Sequence, residues 1–251
     1  MQPIPINQIA AFFDGFRSVS EEVGAAEYAH LYPAFFDGFR SRMQAMQAHD
    51  KLYTPQYNLF EILRIAHRET ITHTPFLFNL LKPSGSHAQG HLFVYSLLQK
   101  MYHVPINPLL TTVDEVVENK ATTGLGFIDI FLRGKINAEP FVLIIENKVY
   151  AGDQPQQLER YYEYVSKVLG YTDSQIRMLY LTINGTRPAI PHSISRSMFN
   201  ELSGNAVLQL WSYNKDVRCW LESCLAEIHE QSLLHGSIQQ YIDILKTWKD
   251  E

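Results

Sequence analysis

Two short stretches, GFIDIFL at 126–132 and FVLIIENKVY at 141–150, constrain this chain more than any other part of it. Each is rich in Phe, Ile, Val and Leu over the length of one strand and is bounded by turn residues. Each also carries charge inside its apolar run: Asp129 in the first, Glu146 and Lys148 in the second. A charged group is costly to bury unless something pairs with it or binds it. Function is therefore to be sought where these charges lie.

Around this pair the hydrophobic period changes along the chain. The N-terminal third reads helical. The string AFFDGFRS at 11–18 recurs identically at 34–41, which suggests two amphipathic helices with Phe12, Phe13, Phe16 and Phe35, Phe36, Phe39 as packing stripes, or a surface for a partner. From Asn58 to Leu81 apolar residues follow helical spacing, interrupted at Pro75, where Thr74 is a candidate N-cap. KPSGSHAQG is a loop by composition and a helix follows at about 90–102. Strands are expected near 111–118, 125–133 and 141–149. Asp153 resembles an N-cap, with Pro155 in the first turn of a helix running to about Leu169. Strands at 176–184 and 207–213 and helices at about 214–229 and 233–249 complete the chain. The order predicts a mixed α/β or α+β layered domain over 57–251, preceded by a helical extension over 1–56.

The totals set the limits of the functional search. At 251 residues, 46% apolar and 19% charged, the composition is that of an ordinary globular protein. Runs such as FVLII are far shorter than a bilayer span, and no signal peptide is read at the N-terminus. The two cysteines, Cys219 and Cys224, form neither a disulfide framework nor a zinc spacing, so a reducing cytoplasm is expected. A net charge of −5 does not advertise nucleic-acid binding, but it says little about a local groove, where bound divalent metals would offset negative charge. No Gly-rich phosphate loop, nucleophile elbow, zinc cluster, helix-turn-helix or zinc finger is present.

Taken as a hairpin, 125–133 and 141–149 place Asp129 across from Ile145 in one register and across from Glu146 in the next. In both the carboxylates are near neighbours, and like charges placed so are destabilising unless a cation lies between them. Oxygen-only ligands favour magnesium or manganese over zinc. Lys148 shares a strand face with Glu146 and can contact a phosphate oxygen or orient water, while the Asn147 side chain points the other way and its carbonyl could reach the metal. One acid from each strand plus a lysine suits phosphodiester hydrolysis. The plain alternative is a surface hairpin with an exposed Glu146–Lys148 pair.

Asp129, the run Glu146-Asn147-Lys148, and then Gln157 and Tyr161 in QLERY together resemble the PD-(D/E)XK nuclease superfamily, in its bacterial branch with an ENK variant and a Gln-xxx-Tyr motif. The resemblance covers about 58–250. It implies a restriction-endonuclease-like α-β-β-β-α-β core: a mixed central sheet flanked by helices, with extra N- and C-terminal helices. It also implies a magnesium or manganese ion held by Asp129 and Glu146. Glu69 matches the helix acid that such enzymes add to the site. His73, four residues later, would face the same way as a ligand or phosphate contact, or else would cap the helix. Gln157 and Tyr161 would face the site and position the substrate or Lys148, with Tyr161 alternatively plain core. His87 also fits the pattern, with a structural role expected. Ile128 stands where the name-giving proline would be, and Phe127 where related sequences often carry a basic residue.

The resemblance implies a metal-dependent nuclease acting on nucleic acid, DNA in the first place, with no membrane partner and a homodimer left open. A catalytically idle nucleic-acid-binding or assembly module and a hydrolase of smaller phosphate compounds are the alternatives. Phage defence, restriction and repair are all open as pathways by family analogy.

Overall fold

The computed structural model describes residues 31–53, 57–122 and 126–248. The chain divides into two compact units, Met1–Tyr57 and Asn58–Glu251. In the first, helix α1 spans Leu31–Tyr53 and contains the second AFFDGFRS copy. Asp37 and Arg40 pair on its exposed surface at 3.2 Å, and Phe39 and Met43, four residues apart, are partly buried. Phe12, Phe13 and Phe16 lie outside the described residues, as do the side chains of Phe35 and Phe36.

The second unit opens with one helical turn, α2 (Leu59–Ile62), capped by the side chain of Asn58. A wide π-helical turn over Glu69–His73 runs directly into α3 (Thr74–Leu81), and α4 (Leu92–Tyr102) follows. Three antiparallel strands come next: β1 (Thr112–Ala121), β2 (Phe127–Ile136) and β3 (Glu139–Lys148). The chain crosses through α5 (Gln157–Glu163) to β4 (Ile176–Thr182), and through α6 (Arg196–Gly204) to β5 (Leu208–Ser212). Both new strands run parallel to β3 in a sheet ordered β1-β2-β3-β4-β5. Helices α7 (Arg218–Leu225) and α8 (Leu233–Thr247) close the unit. This is the mixed, helix-flanked α+β sheet that the element order predicts.

Strand β3 sits at the centre and separates two cores. Leu143 and Ile145 face one, with Leu77 and Leu80 of α3, Leu97 of α4, Trp220 of α7 and Tyr241 of α8. Val142 and Ile144 face the other, with Leu158 of α5 and Leu202 of α6. Burial on both faces explains why FVLII is an unbroken apolar run and not an alternating one.

The β2–β3 connection is shorter than RGKINAEP suggests. Asn137 and Ala138, both at positive φ, make a two-residue turn, and the strands extend to Ile136 and Glu139. The register pairs Arg133 with Val142 and Ile130 with Ile145, which sets Asp129 level with Glu146.

Other details differ from expectation for physical reasons. Helix α5 begins at Gln157, after Gln156 in the left-handed region, so Pro155 lies before the helix and Asp153 does not cap it. The Asp153 carboxylate instead accepts from the Tyr180 hydroxyl at 3.0 Å and the Ala189 N–H at 2.7 Å, tying the loop after β4 to the site. Thr74 does not cap a new helix either. The π-turn carries the chain through it, with the Thr74 N–H bonded to the Glu69 carbonyl, directly before the N–H that Pro75 lacks. Helix α6, for which the sequence predicts no element, buries only Phe199 and Leu202, too few contacts to set a periodic signal.

Candidate active site

The site begins where β2 leaves β3. Pairing between them ends at Ile130 and Ile145, whereas β1–β2 pairing continues to Phe127 and β3–β4 pairing to Lys148. Beyond this fork the backbone groups find side-chain partners instead of a ladder. The Tyr161 hydroxyl donates to the Phe127 carbonyl. The Asn147 N–H donates to Asp129 Oδ2 at 2.8 Å, and the Val149 N–H donates to Glu69 Oε2 at 2.7 Å. Alternate N–H groups of a strand point to the same side. The open edge of β3 therefore draws in two carboxylates, one from β2 and one from the π-turn.

Glu146 is close enough to both to feel their charge and is 2% exposed. Its Oε1 accepts from Lys148 Nζ at 2.6 Å and from Gln157 Nε2 at 2.7 Å. Its Oε2 is buried without a hydrogen-bond partner among the described residues. Burial, and then the charge of Asp129, push the Glu146 pKa upward against the pull of Lys148. Burial also raises Asp129 to about 6, with the Asn147 N–H and Lys148 opposing and Glu69 and Glu118 adding. For Lys148, burial acts downward, but Glu146, Asp129 and Glu69 outweigh it and hold the ammonium above the ordinary lysine range. Three acids thus compete for one buried cation, and an uncompensated carboxylate oxygen remains.

The structure brings Asp129, Glu146, Lys148, Glu69 and Gln157 together. Tyr161 joins them from behind: it is buried, accepts from Gln157 Nε2 at 3.1 Å and holds β2 at the fork. It positions Gln157 and has no exposed surface to offer a substrate. The Asn147 side chain points away, as its strand position requires. Its amide donates to Thr74 Oγ1 at 3.0 Å and accepts from the Tyr213 hydroxyl at 2.9 Å, which leaves only its main chain near the fork.

His73 is corrected by the structure. It is fully buried in the opposite core, with Nε2 at 3.0 Å from the Ala66 carbonyl and Nδ1 at 2.7 Å from the Tyr241 hydroxyl. A carbonyl can only accept, so Nε2 carries the proton and Tyr241 donates to Nδ1. Burial lowers its pKa to about 4, which keeps the ring neutral. Glu69 reaches the Val149 N–H, whereas both His73 nitrogens are taken inside the core, so His73 is a strut of the core and not a substrate contact. His73→Ala is accordingly expected to lose about 3 kcal/mol of stability in denaturant unfolding while turnover of the folded fraction stays near wild type. His87 is likewise structural: Nε2 donates to the Lys82 carbonyl and Nδ1 accepts from the Gln89 N–H, both at 3.0 Å.

A fold with two helix-flanked faces, a forked central strand and acid–lysine chemistry at the fork bears directly on ancestry. The family model of the PD-(D/E)XK nuclease superfamily matches residues 57–243, well over half of the chain. The chain belongs to this superfamily. Comparison with curated proteins and with solved structures gives no match. PD-(D/E)XK nucleases generally use divalent metals. Among the described residues no group of three or more His, Cys, Asp or Glu side chains is gathered closely enough to hold an ion by itself. Magnesium, however, is commonly held by one or two carboxylates, with water and substrate phosphate completing its shell. The all-oxygen donor set and the orphaned Glu146 Oε2 fit that mode.

Beside the nuclease motifs, the site includes residues that sequence reasoning missed. Tyr150, His67 and Trp248 stand near Lys148 although they come from three distant segments. Thr182, level with Lys148 on β4, is buried with its hydroxyl unpartnered among the described residues. Tyr150 carried a signal, since it lies two residues beyond the apolar strand that holds Glu146. His67 and Trp248 carried none, because only the folded chain brings them there. Phe127, at the start of β2, is an apolar ring 63% exposed.

Proposed function

We propose that the protein is a metal-dependent nuclease that hydrolyses phosphodiester bonds in nucleic acid, DNA in the first place. The observation that carries this reading is the forked edge of β3, where Asp129 and Glu69 take alternate N–H groups beside the half-satisfied Glu146 carboxylate. Asp129 and Glu146 would hold a magnesium or manganese ion, with Glu69 and the Asn147 carbonyl as further donors. Such an ion supplies an activated water and neutralises charge that develops on the phosphate. Gln157 fixes Glu146 by donating to its Oε1, and Tyr161 fixes Gln157. Lys148, whose ammonium is favoured by Glu146, Asp129 and Glu69, would stabilise negative charge on a phosphate oxygen. On this reading residues 57–251 form the nuclease domain and 1–56 a helical extension.

The test is incubation of the full chain with plasmid DNA, linear DNA and RNA in magnesium, manganese or chelator. Cleavage is expected with either ion, none with chelator, and none with Asp129→Ala. If wild type and Asp129→Ala are equally inert in every condition, the reading fails. Metal-independent binding without cleavage would make the chain an idle nucleic-acid-binding module.

A further inference from the structure

Beside Lys148 lies a cleft of about 700 Å3, formed by the end of β3, the end of β4 and the tail of α8. That volume falls in the range, about 300–1,000 Å3, that encloses a small organic ligand. One wall is aromatic. Tyr150, 66% exposed, meets His67 edge-on with ring centres 5.7 Å apart, and its hydroxyl lies 3.3 Å from His67 Nδ1. His67 in turn stacks on Trp248 at 6.0 Å and an interplanar angle of 22°. The rest of the lining includes the neutral polar residues Thr182 and Asn184. The Thr182 hydroxyl and the Trp248 indole N–H are both buried without a hydrogen-bond partner among the described residues. Native interiors rarely leave such groups unpaired unless a ligand or water takes them.

The charge of the cleft is as informative as its rings. Lys148 is the one lysine or arginine among its described lining residues, and Glu146 already engages it. Duplex binding draws its affinity from many phosphate contacts made by lysine and arginine, which this cleft lacks. Stacking on an aromatic face works without charge and without regard to sequence, but it requires a base freed from its own stack.

We propose that this cleft holds an unpaired nucleotide next to the scissile phosphate, its base against Tyr150 and His67 and its polar edge toward Thr182 and Asn184, so that the substrate is single-stranded nucleic acid. The proposal rests on the nuclease reading of the same site. Lys148 stands at the junction: its ammonium serves the phosphate, and the cleft beyond it serves the attached base.

The experiment measures fluorescence anisotropy of a short labelled oligonucleotide, as single-stranded DNA, as single-stranded RNA and as blunt duplex, with the full chain in chelator so that binding is read without cleavage. Single strands are expected to bind at least about tenfold tighter than the duplex. Tyr150→Ala should weaken single-strand binding by about 10- to 100-fold, and Tyr150→Phe, which keeps the stacking face, by no more than about twofold. Because Tyr150 is largely exposed, both variants should melt like wild type. Duplex binding as tight as single-strand binding, or a Tyr150→Ala variant that binds like wild type, overturns the proposal. Magnesium-dependent cutting of duplex alongside either result overturns the cleft assignment and leaves the nuclease reading intact. Tyr150-dependent single-strand binding with no cutting in any metal does the reverse.

Discussion

Replacing Lys148 by alanine is expected to lower kcat on a nucleic-acid substrate by about 100- to 1,000-fold with little change in KM. The reason lies in where its charge sits. Lys148 is largely buried and contacts Glu146 Oε1 at 2.6 Å, with Asp129 and Glu69 close enough to raise its pKa further. An ammonium in so shielded a place acts on a developing phosphate charge far more strongly than one in bulk water. Its loss also removes a charge that lowers the Glu146 pKa, so Glu146 becomes harder to ionise. Lys148→Arg keeps the charge but brings a planar fork into a space shaped for a point-like head, and an intermediate activity is expected. Single-turnover cleavage at saturating substrate, with circular dichroism to confirm the fold, measures this. A Lys148→Ala variant that cuts as fast as wild type would remove Lys148 from the chemistry.

The parts of the site that were legible in the sequence are those that a local rule governs. Asp129 and Glu146 stand out because a strand that buries both faces has no place for an unpaired charge, and a period of two puts Lys148 beside Glu146. A period near four puts Gln157 and Tyr161 on one face of α5. What sequence could not supply depends on events between elements. The register at Asp129 follows from a two-residue turn at positive φ, where composition suggested a longer loop. The fork needs the Tyr161 hydroxyl to take the Phe127 carbonyl, a contact across 34 residues. Glu69 and His73, which the i,i+4 rule had paired, take partners that no local rule supplies: Glu69 meets the Val149 N–H at the site, and His73 meets Ala66 and Tyr241 in the core. Asp153 was legible as a capping residue by type but serves as a loop anchor, because Tyr180 and Ala189 reach it in the folded chain. The aromatic wall follows the same pattern: its rings belong to three segments that nothing in the sequence connects.

The crowding that makes this site suited to a metal should weaken the fold that carries it. Asp129→Asn is expected to stabilise the metal-free protein at neutral pH while abolishing cleavage. In the folded chain burial raises the Asp129 pKa from 3.8 to about 6, so between those values the native state binds a proton that the unfolded chain releases. For an acid shifted upward, the native state is favoured at low pH and loses stability as pH rises through about 4 to 6. The full shift corresponds to at most about 3 kcal/mol, and partial solvent access reduces it to about 1–2 kcal/mol. Asparagine is nearly isosteric with the neutral acid and keeps an oxygen to accept the Asn147 N–H, so it removes the penalty without removing that bond. For a unit of this size the gain is about 3–6 °C in Tm. Thermal melts in chelator at pH 7 should show the variant above wild type, with the difference closing as pH falls toward 4. Saturating magnesium or manganese should then raise wild type and leave the variant nearly unmoved, reversing their order. A metal-free Asp129→Asn protein that melts below wild type at pH 7 would mean that the carboxylate supports the fold, and that the acids at the fork are a structural network, not a site held open for a cation.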